Sequence, residues 1–269
     1  MEIINEINEK RRRYVDDFLS FIPIYEDKKR EIALKNLLLK NRKFIKNKIC
    51  VEAGAGKGIF SKFMVLLGAK RVYAVEESFY LYKILKENVK DEKKIIPVNK
   101  KIEDFLPDEE IDLLFQEFYG SLLFDESLLA LEKIRFKPKR VIPDGGALWC
   151  MILKEKEIME KDKIYEKNWK EILKNVLVSD LFPYIKFKPH FKIFEWNYGK
   201  DFPKFIKFEL KRKGDFLVFS SEIKDKGKSI LKTWETDTWS LIYTPINGKK
   251  FLFEFNYENA FTEIKFKWI

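Results

Sequence analysis

The sequence predicts an α/β fold in its first half, built on a parallel sheet, and an antiparallel all-β unit in its second half. Three observations carry this. Residues 48–78 run strand, glycine turn, helix, strand, the order of a βαβ unit. Short, fully apolar runs follow at intervals, as strands buried on both faces require. Beyond Gly146 the hydrophobic pattern switches to period two, in which successive side chains face opposite sides of a sheet.

Taken in order, residues 3–40 read as helical. Tyr14, Phe18, Phe21 and Ile22 form an apolar stripe interrupted at Pro23, and Ile32, Leu34, Leu37 and Leu38 continue it beyond. Arg30 stands one turn before the start of that second apolar face. The strands of the sheet are expected at 49–51, 72–75, 95–98 and 111–115, with a helix over 122–134, a further strand starting at 140–142 and a turn at Asp144-Gly145-Gly146. An amphipathic helix is expected over 154–177, with Ile158, Tyr165, Trp169, Ile172 and Val176 on one face. Later, Phe251, Phe253, Phe255 and Tyr257 alternate with Leu252, Glu254 and Asn256, and Thr262, Ile264, Phe266 and Trp268 alternate in the same way. Asn247-Gly248 reads as a hairpin turn. The expected division is 1–146, helices plus a nucleotide-type domain, and 147–269, a compact β-barrel.

Composition limits the function classes. The chain of 269 residues has no apolar run long enough to span a bilayer, and its opening residues lack the apolar region of a secretory signal, so a cytoplasmic protein is expected. Cys50 and Cys150 sit in apolar runs and read as reduced core residues. His190 is the single histidine; alone it makes no metal site, and no partner motif supports a Ser–His or Cys–His nucleophile. The net charge is +10, but the basic residues are spread out and no nucleic-acid-binding motif accompanies them, so a solvated surface is the favoured reading. Residues 103–126 hold nine acids and no Lys or Arg, which suggests a cationic substrate.

The glycine turn selects the cofactor. Gly54, Gly56 and Gly58 are spaced G-x-G-x-G, and Ile59 takes the third glycine position of a dinucleotide fingerprint. Glu52 precedes them directly. A carboxylate there repels a pyrophosphate but suits a cofactor carrying an amino group and a sulfonium. Glu76, ending the next strand, is placed to accept from two ribose hydroxyls. This pattern resembles the class I methyltransferases, which use S-adenosylmethionine, and implies a Rossmann-like domain. Glu52, Glu76, Glu103 and Glu117 all arrive at the strands' C-terminal ends, where open α/β sheets bind ligands.

Glu117 and Glu126 flank a turn at Gly120. Two carboxylates so placed can grip a guanidinium by paired, charge-assisted hydrogen bonds and orient it for in-line attack. The stretch Glu117-Phe118-Tyr119-Gly120, Leu123, Glu126-Ser127-Leu128-Leu129 is similar to the E-W-M-G-x-x-L-x-x-E-S-M-L loop of the protein arginine N-methyltransferases. Ile24-Tyr25-Glu26-Asp27-Lys28-Lys29-Arg30 resembles that family's M-L-x-D-x-x-R. The resemblance runs from about Tyr14 to Gly146. It implies Glu117 and Glu126 as catalytic residues, Arg30 on the cofactor carboxylate, Ile102 and Glu103 at the adenine, and Leu128 against the cofactor. It also implies Asp27, Phe118 and Trp239 at the substrate, a β-barrel after the nucleotide domain, and a homodimer. The family's Thr-His-Trp is matched by Asp237-Thr238-Trp239, so Thr238 stands where the family has histidine. The implied activity is methyl transfer to arginine of protein substrates; a small amine or guanidine, or nucleic acid, is the alternative acceptor.

Overall fold

The computed structural model describes residues 8–159, 169–257 and 262–269. The chain forms two compact units: residues up to Glu117 with Ala130–Pro143, and Phe118–Leu129 with Asp144–Ile269.

In the first unit, α1 (Glu9–Glu26) starts at Asn8, whose side chain accepts from the Arg11 N–H at 2.9 Å. Pro23 lies inside this helix, not at its end. The break comes at Asp27, whose backbone is extended, whose N–H closes α1 on the Pro23 carbonyl, and whose carboxylate caps α2 (Lys28–Lys40) through the Arg30 N–H. An aspartate N-cap thus sets the boundary that proline was expected to set. Leu34, Leu37 and Leu38 are buried, but Phe18, Ile22 and Ile32 are exposed, so the expected stripe is core only in part.

The sheet follows with β1 (Ile49–Ala53), α3 (Ile59–Leu66), β2 (Arg71–Val75), α4 (Phe79–Asn88), β3 (Ile95–Val98), β4 (Leu113–Gln116), α5 (Ala130–Lys133) and β5 (Arg140–Ile142). All pairings are parallel, in the order β3-β2-β1-β4-β5. Winding reverses between β1 and β4, so a crevice opens at their C-terminal ends. β4 begins at Leu113, and Asp112 before it is tied to β1 twice: its N–H donates to the Ile49 carbonyl, and its carboxylate accepts from the Ile49 N–H and pairs with Lys139. Much of the acidic stretch is likewise occupied. Glu109 binds Arg71 and Tyr73, Glu110 binds Lys139, and Asp104 lies by Arg135, so these acids brace the unit and do not form one open anionic patch.

The second unit holds β6 (Gly145–Leu153), α6 (Glu155–Met159), α7 (Trp169–Ile172), β7 (Val178–Ser179), β8 (Phe191–Asn197), β9 (Phe205–Glu209), β10 (Phe216–Asp225), β11 (Lys228–Lys232), β12 (Ile242–Pro245), β13 (Lys250–Asn256) and β14 (Glu263–Trp268). One antiparallel sheet runs β7-β12-β10-β6-β8 with β11 on β10; the other runs β14-β13-β9. Phe251, Phe253 and Phe255 are buried as the period-two pattern requires, and Phe219 meets Phe251, Phe253 and Phe266 edge-on. Gly145 and Gly146 open β6 and do not form a turn; a Cβ on Gly146 would lie 2.4 Å from Leu123. The strands flanking Asn247-Gly248 belong to different sheets, because the Ile246 N–H goes to the Asp215 carbonyl and β13 pairs with β9 and β14. The helix expected over 154–177 is α6 and α7, with 160–168, including Tyr165, outside the described residues. It starts at Glu155 because Glu157 accepts from the Lys154 N–H, and Ile158 is buried while Ile172 and Val176 are exposed. The helix expected over 122–134 shrinks to a 3₁₀ turn, Ser127–Leu129, and α5. Leu123 is left-handed (φ 73°) and bridges Gly120, which holds the chain before it in a turn.

Cys50 and Cys150 are both free and buried. Among the described residues no helix is long and apolar enough to cross a membrane.

Candidate active site

The site is built first from the C-terminal edge of the parallel sheet. Gly54, Gly56 and Gly58 all have positive φ (67°, 52° and 84°), the conformation for which glycine is required. Gly58 is the left-handed residue from which α3 starts. Glu76, at the end of β2, reaches across to this turn. One of its oxygens accepts from the Gly56 N–H and the other from the Ser78 N–H, both at 2.8 Å. Glu52, at 2 % exposure, accepts from the backbone N–H of Ser61 (2.7 Å) and from the Ser61 hydroxyl, which ties β1 to the first turn of α3. Burial pushes the Glu52 carboxyl up to about 8, against the hydrogen bonds from Ser61.

Tyr25, on α1, covers the same turn. Its hydroxyl accepts from the Lys57 N–H at 2.9 Å, and the Lys57 ammonium stands 3.9 Å from the centre of its ring. A Cβ on Gly56 would lie 2.3 Å from that hydroxyl, so glycine there and tyrosine on the helix fit each other. Phe21 stacks on Tyr25 from the preceding turn of α1. Burial raises the Tyr25 hydroxyl to about 12, so it remains protonated near neutrality.

Glu117 follows the last residue of β4, and its carboxylate binds the guanidinium of Arg30. Both side chains are buried, at 13 % and 9 % exposure. Asp27, 2 % exposed, lies beside them and is engaged as the cap of α2. Burial raises the Glu117 carboxyl and Arg30 opposes that shift. Arg30 thus stands on the carboxylate to which sequence reasoning assigned a substrate guanidinium. Ile102 is buried and Glu103 half-buried, in the 3₁₀ turn Ile102–Asp104 beyond β3.

The second unit carries the remainder of the loop. Phe118 is half-buried, Leu128 buried and Glu126 exposed. Trp239 is buried and donates its indole N–H to the Tyr119 carbonyl at 2.8 Å, while Ser221 donates to the Gly120 carbonyl at 2.8 Å. Asp125 accepts from the Leu122 N–H at 2.8 Å, and a Cβ on Gly120 would fall 1.9 Å from its carboxylate. Burial raises Asp125 to about 6. Thr238, in the family's histidine position, is half-buried.

Sequence reasoning placed Glu52, Glu76, Glu103 and Glu117 at the C-terminal ends of the strands; in the first unit Glu52 lies in β1, Glu76 and Glu117 follow β2 and β4, and Glu103 lies in the turn beyond β3, with Arg30 and Asp27 beside Glu117. It missed Tyr25, Asp125 and Ser221. Asp125 carried a legible signal, a carboxylate five residues after the turn glycine. Tyr25 and Ser221 carried none, since their partners lie 32 and 101 residues away.

No known family profile matches the chain. Among curated proteins it is 30% identical over 168 residues to protein arginine N-methyltransferase 8-B of Danio rerio, a match covering 58% of this chain and 40% of the relative. It is 32% identical over 136 residues to probable protein arginine N-methyltransferase 6.1 of Oryza sativa subsp. indica, covering 48% and 35%. The matched segment therefore spans well under half of these relatives. In fold, the chain is similar to the Trypanosoma brucei PRMT1 enzyme-prozyme heterotetrameric complex with AdoHcy, with a TM-score of 0.70 at 17% identity over 91% of this chain and 97% of that one. It is also similar to PRMT6, with a TM-score of 0.67 at 15% identity over 94% and 99%. The resemblance read from the motifs is borne out in sequence, and the expected architecture is borne out in fold.

Proposed function

We propose that this chain, a relative of the protein arginine N-methyltransferases, transfers a methyl group from S-adenosylmethionine to arginine guanidinium groups of protein substrates. One observation carries the reading: Glu117, which follows β4 in the unit that holds the acid-lined glycine turn, is set to bind a guanidinium and does so with that of Arg30.

The residues of the turn fit the cofactor by their chemistry. Glu76 offers two carboxylate oxygens, which backbone N–H groups of the turn and of Ser78 hold in place, to vicinal hydroxyls. Gly56, beneath the Tyr25 hydroxyl, keeps the turn free of a side chain. Glu52 offers a buried carboxyl that releases its proton when an amino cation comes beside it, Arg30 positive charge for a carboxylate, and Ile102, Glu103 and Leu128 an edge and an apolar surface for a base. When bound, S-adenosylmethionine supplies an electrophilic methyl group.

The chain's own part is to bind and orient the acceptor. Glu117 and Glu126 hold the guanidinium, and Phe118 and Trp239 line its approach. A guanidinium loses its proton only above pH 12, so the two carboxylates direct its charge toward the nitrogens they bind and leave the remaining nitrogen the better nucleophile. Asp27 is part of the same proposal as a substrate-side residue. A cytoplasmic, homodimeric protein completes it.

The test is incubation of the purified protein with labelled S-adenosylmethionine and an Arg/Gly-rich polypeptide, with an Arg-to-Lys copy as control. Label recovered as methylarginine from the first polypeptide alone is the expected result. Label on free amines or RNA instead would replace the acceptor, and no label at all would remove the proposal.

A further inference from the structure

The second unit carries an open cavity of about 620 Å³ at the end of β6. Lys154, Lys156, Arg212, Lys213 and His190 line it, with Glu157 as its acid. These residues are far apart in sequence and are assembled by pairing. Lys154 and Lys156 follow β6, His190 precedes β8, and Arg212 and Lys213 precede β10, which runs antiparallel to β6.

Several cations of the unit are held in ion pairs. Lys192 and Lys224 pair with Glu195, Lys250 with Glu209, and Lys267 with Glu254. Among the described residues, none of Lys154, Lys156, Arg212 and Lys213 forms an ion pair, although the Lys154 charge acts on Asp215 from a distance. The acids nearby are largely committed. Glu157 accepts from the Lys154 backbone N–H at 2.7 Å. Asp215, in the adjoining cavity, accepts from the Glu155 N–H and pairs with Lys170 at 2.7 Å.

Two further groups are set in advance. His190 accepts the Ile152 N–H on Nδ1 at 3.0 Å, so its neutral ring carries its proton on Nε2 and is a donor there. Burial and the Arg212 charge hold its pKa below the ordinary value, so it is neutral near pH 7. The Arg212 guanidinium lies 5.7 Å from the centre of the Phe191 ring, which supports its planar fork. Four cations and a neutral N–H against one carboxylate call for a ligand with several charged oxygens. A lone carboxylate neutralises a single charge and offers two acceptors. A chain of phosphates matches both the charge and the fork geometry of arginine.

We infer that this cavity is a phosphate-binding site, which takes a linear polyphosphate or successive phosphates of a single-stranded nucleic acid. It shares no residue with the glycine-turn site and does not depend on the methyl-transfer reading.

The experiment uses the full chain with two probes: tripolyphosphate alone, by calorimetry, and a fluorescent oligodeoxythymidine of about 12 nucleotides, by anisotropy. Tripolyphosphate is expected to bind and to compete with the oligonucleotide. Affinity for the strand should fall with salt, with a log–log slope of about 0.7 per neutralised phosphate. The double variant Lys154→Ala/Arg212→Ala is expected to lose about tenfold in affinity or more for either probe and to flatten that slope. Lys156→Gln/Lys213→Gln, at exposed side chains, should show the same loss with an unchanged melting curve, which separates binding from folding. Lys90→Ala, a cation already paired with Glu87 in the first unit, should change nothing. A strand that binds tighter than tripolyphosphate identifies nucleic acid as the source of the phosphates; equal affinities identify a small polyphosphate. Binding of neither probe, or equal binding by parent and both double variants, overturns the site.

Discussion

Glu117 and Arg30 form a buried ion pair, and the two have conflicting assignments. Sequence reasoning gave Arg30 to a cofactor carboxylate and Glu117 to a substrate guanidinium; in the structure each holds the other. Breaking such a pair from one side leaves a buried charge behind, which is costly. Glu117→Gln should therefore lower the melting temperature. Under the proposed mechanism it should also reduce turnover by about a hundredfold or more, since Glu117 is the carboxylate assigned to the acceptor's guanidinium. Cofactor affinity, read by calorimetry, should change little. Full activity in this variant would remove Glu117 from the chemistry. Neither residue's assignment needed more than its place in a motif, but their meeting spans 87 positions and no local pattern encodes it.

At the scale of elements, the glycine turn and α1 are matched across 32 residues. Gly56 is held at φ 52° and beneath the Tyr25 hydroxyl, so two distinct penalties act on any side chain there. Gly56→Ala should cost about 1–2 kcal/mol in backbone strain, with a steric term on top. Tyr25→Phe removes the hydroxyl and its hydrogen bond to Lys57. In the double variant the steric term should shrink while the strain remains. The loss, measured by denaturant unfolding, should then be less than the sum of the single losses. Additive losses would mean that the hydroxyl does not press on the turn. The turn itself was legible because positive φ demands glycine wherever it occurs. The end of α1 was not. Proline signals a break locally, but a chain whose next residues offer a better cap, Asp27 over Arg30, carries the helix past it.

For the molecule as a whole, three carboxyls are shifted upward by burial: Glu52 to about 8, Asp125 to about 6, and Glu117 in the same direction. The unfolded chain releases the Glu52 proton near the ordinary 4.5 while the folded chain keeps it to about 8. Between those values the folded state binds more protons, so stability falls as pH rises and levels off above about 8. The thermal midpoint of the ligand-free protein should decline from pH 5 to pH 8, and Glu52→Gln should make that decline shallower. A midpoint that rises over this window, or a slope indifferent to Glu52→Gln, would contradict the assignment. Charge behaves similarly at this scale. The +10 balance reads as a diffuse surface along the chain, yet antiparallel pairing of β6 and β10 gathers residues near 154, 190 and 212 into one cavity.

By itself the sequence determined the parallel nucleotide-type unit, its glycine turn, the acids at the strand ends and the period-two strands that follow. Each of these depends on rules that act within a few residues: side-chain periodicity, the φ that only glycine tolerates, and strands short and apolar enough to be buried. Tertiary structure alone decided that Arg30 lies on Glu117, that Tyr25 closes on Lys57, that Asp112 and Glu109 brace the sheet, and that unpaired cations converge beside His190. Those contacts depend on which strands pair and in what register. That is settled by the packing of the entire core, and no window of the sequence contains it.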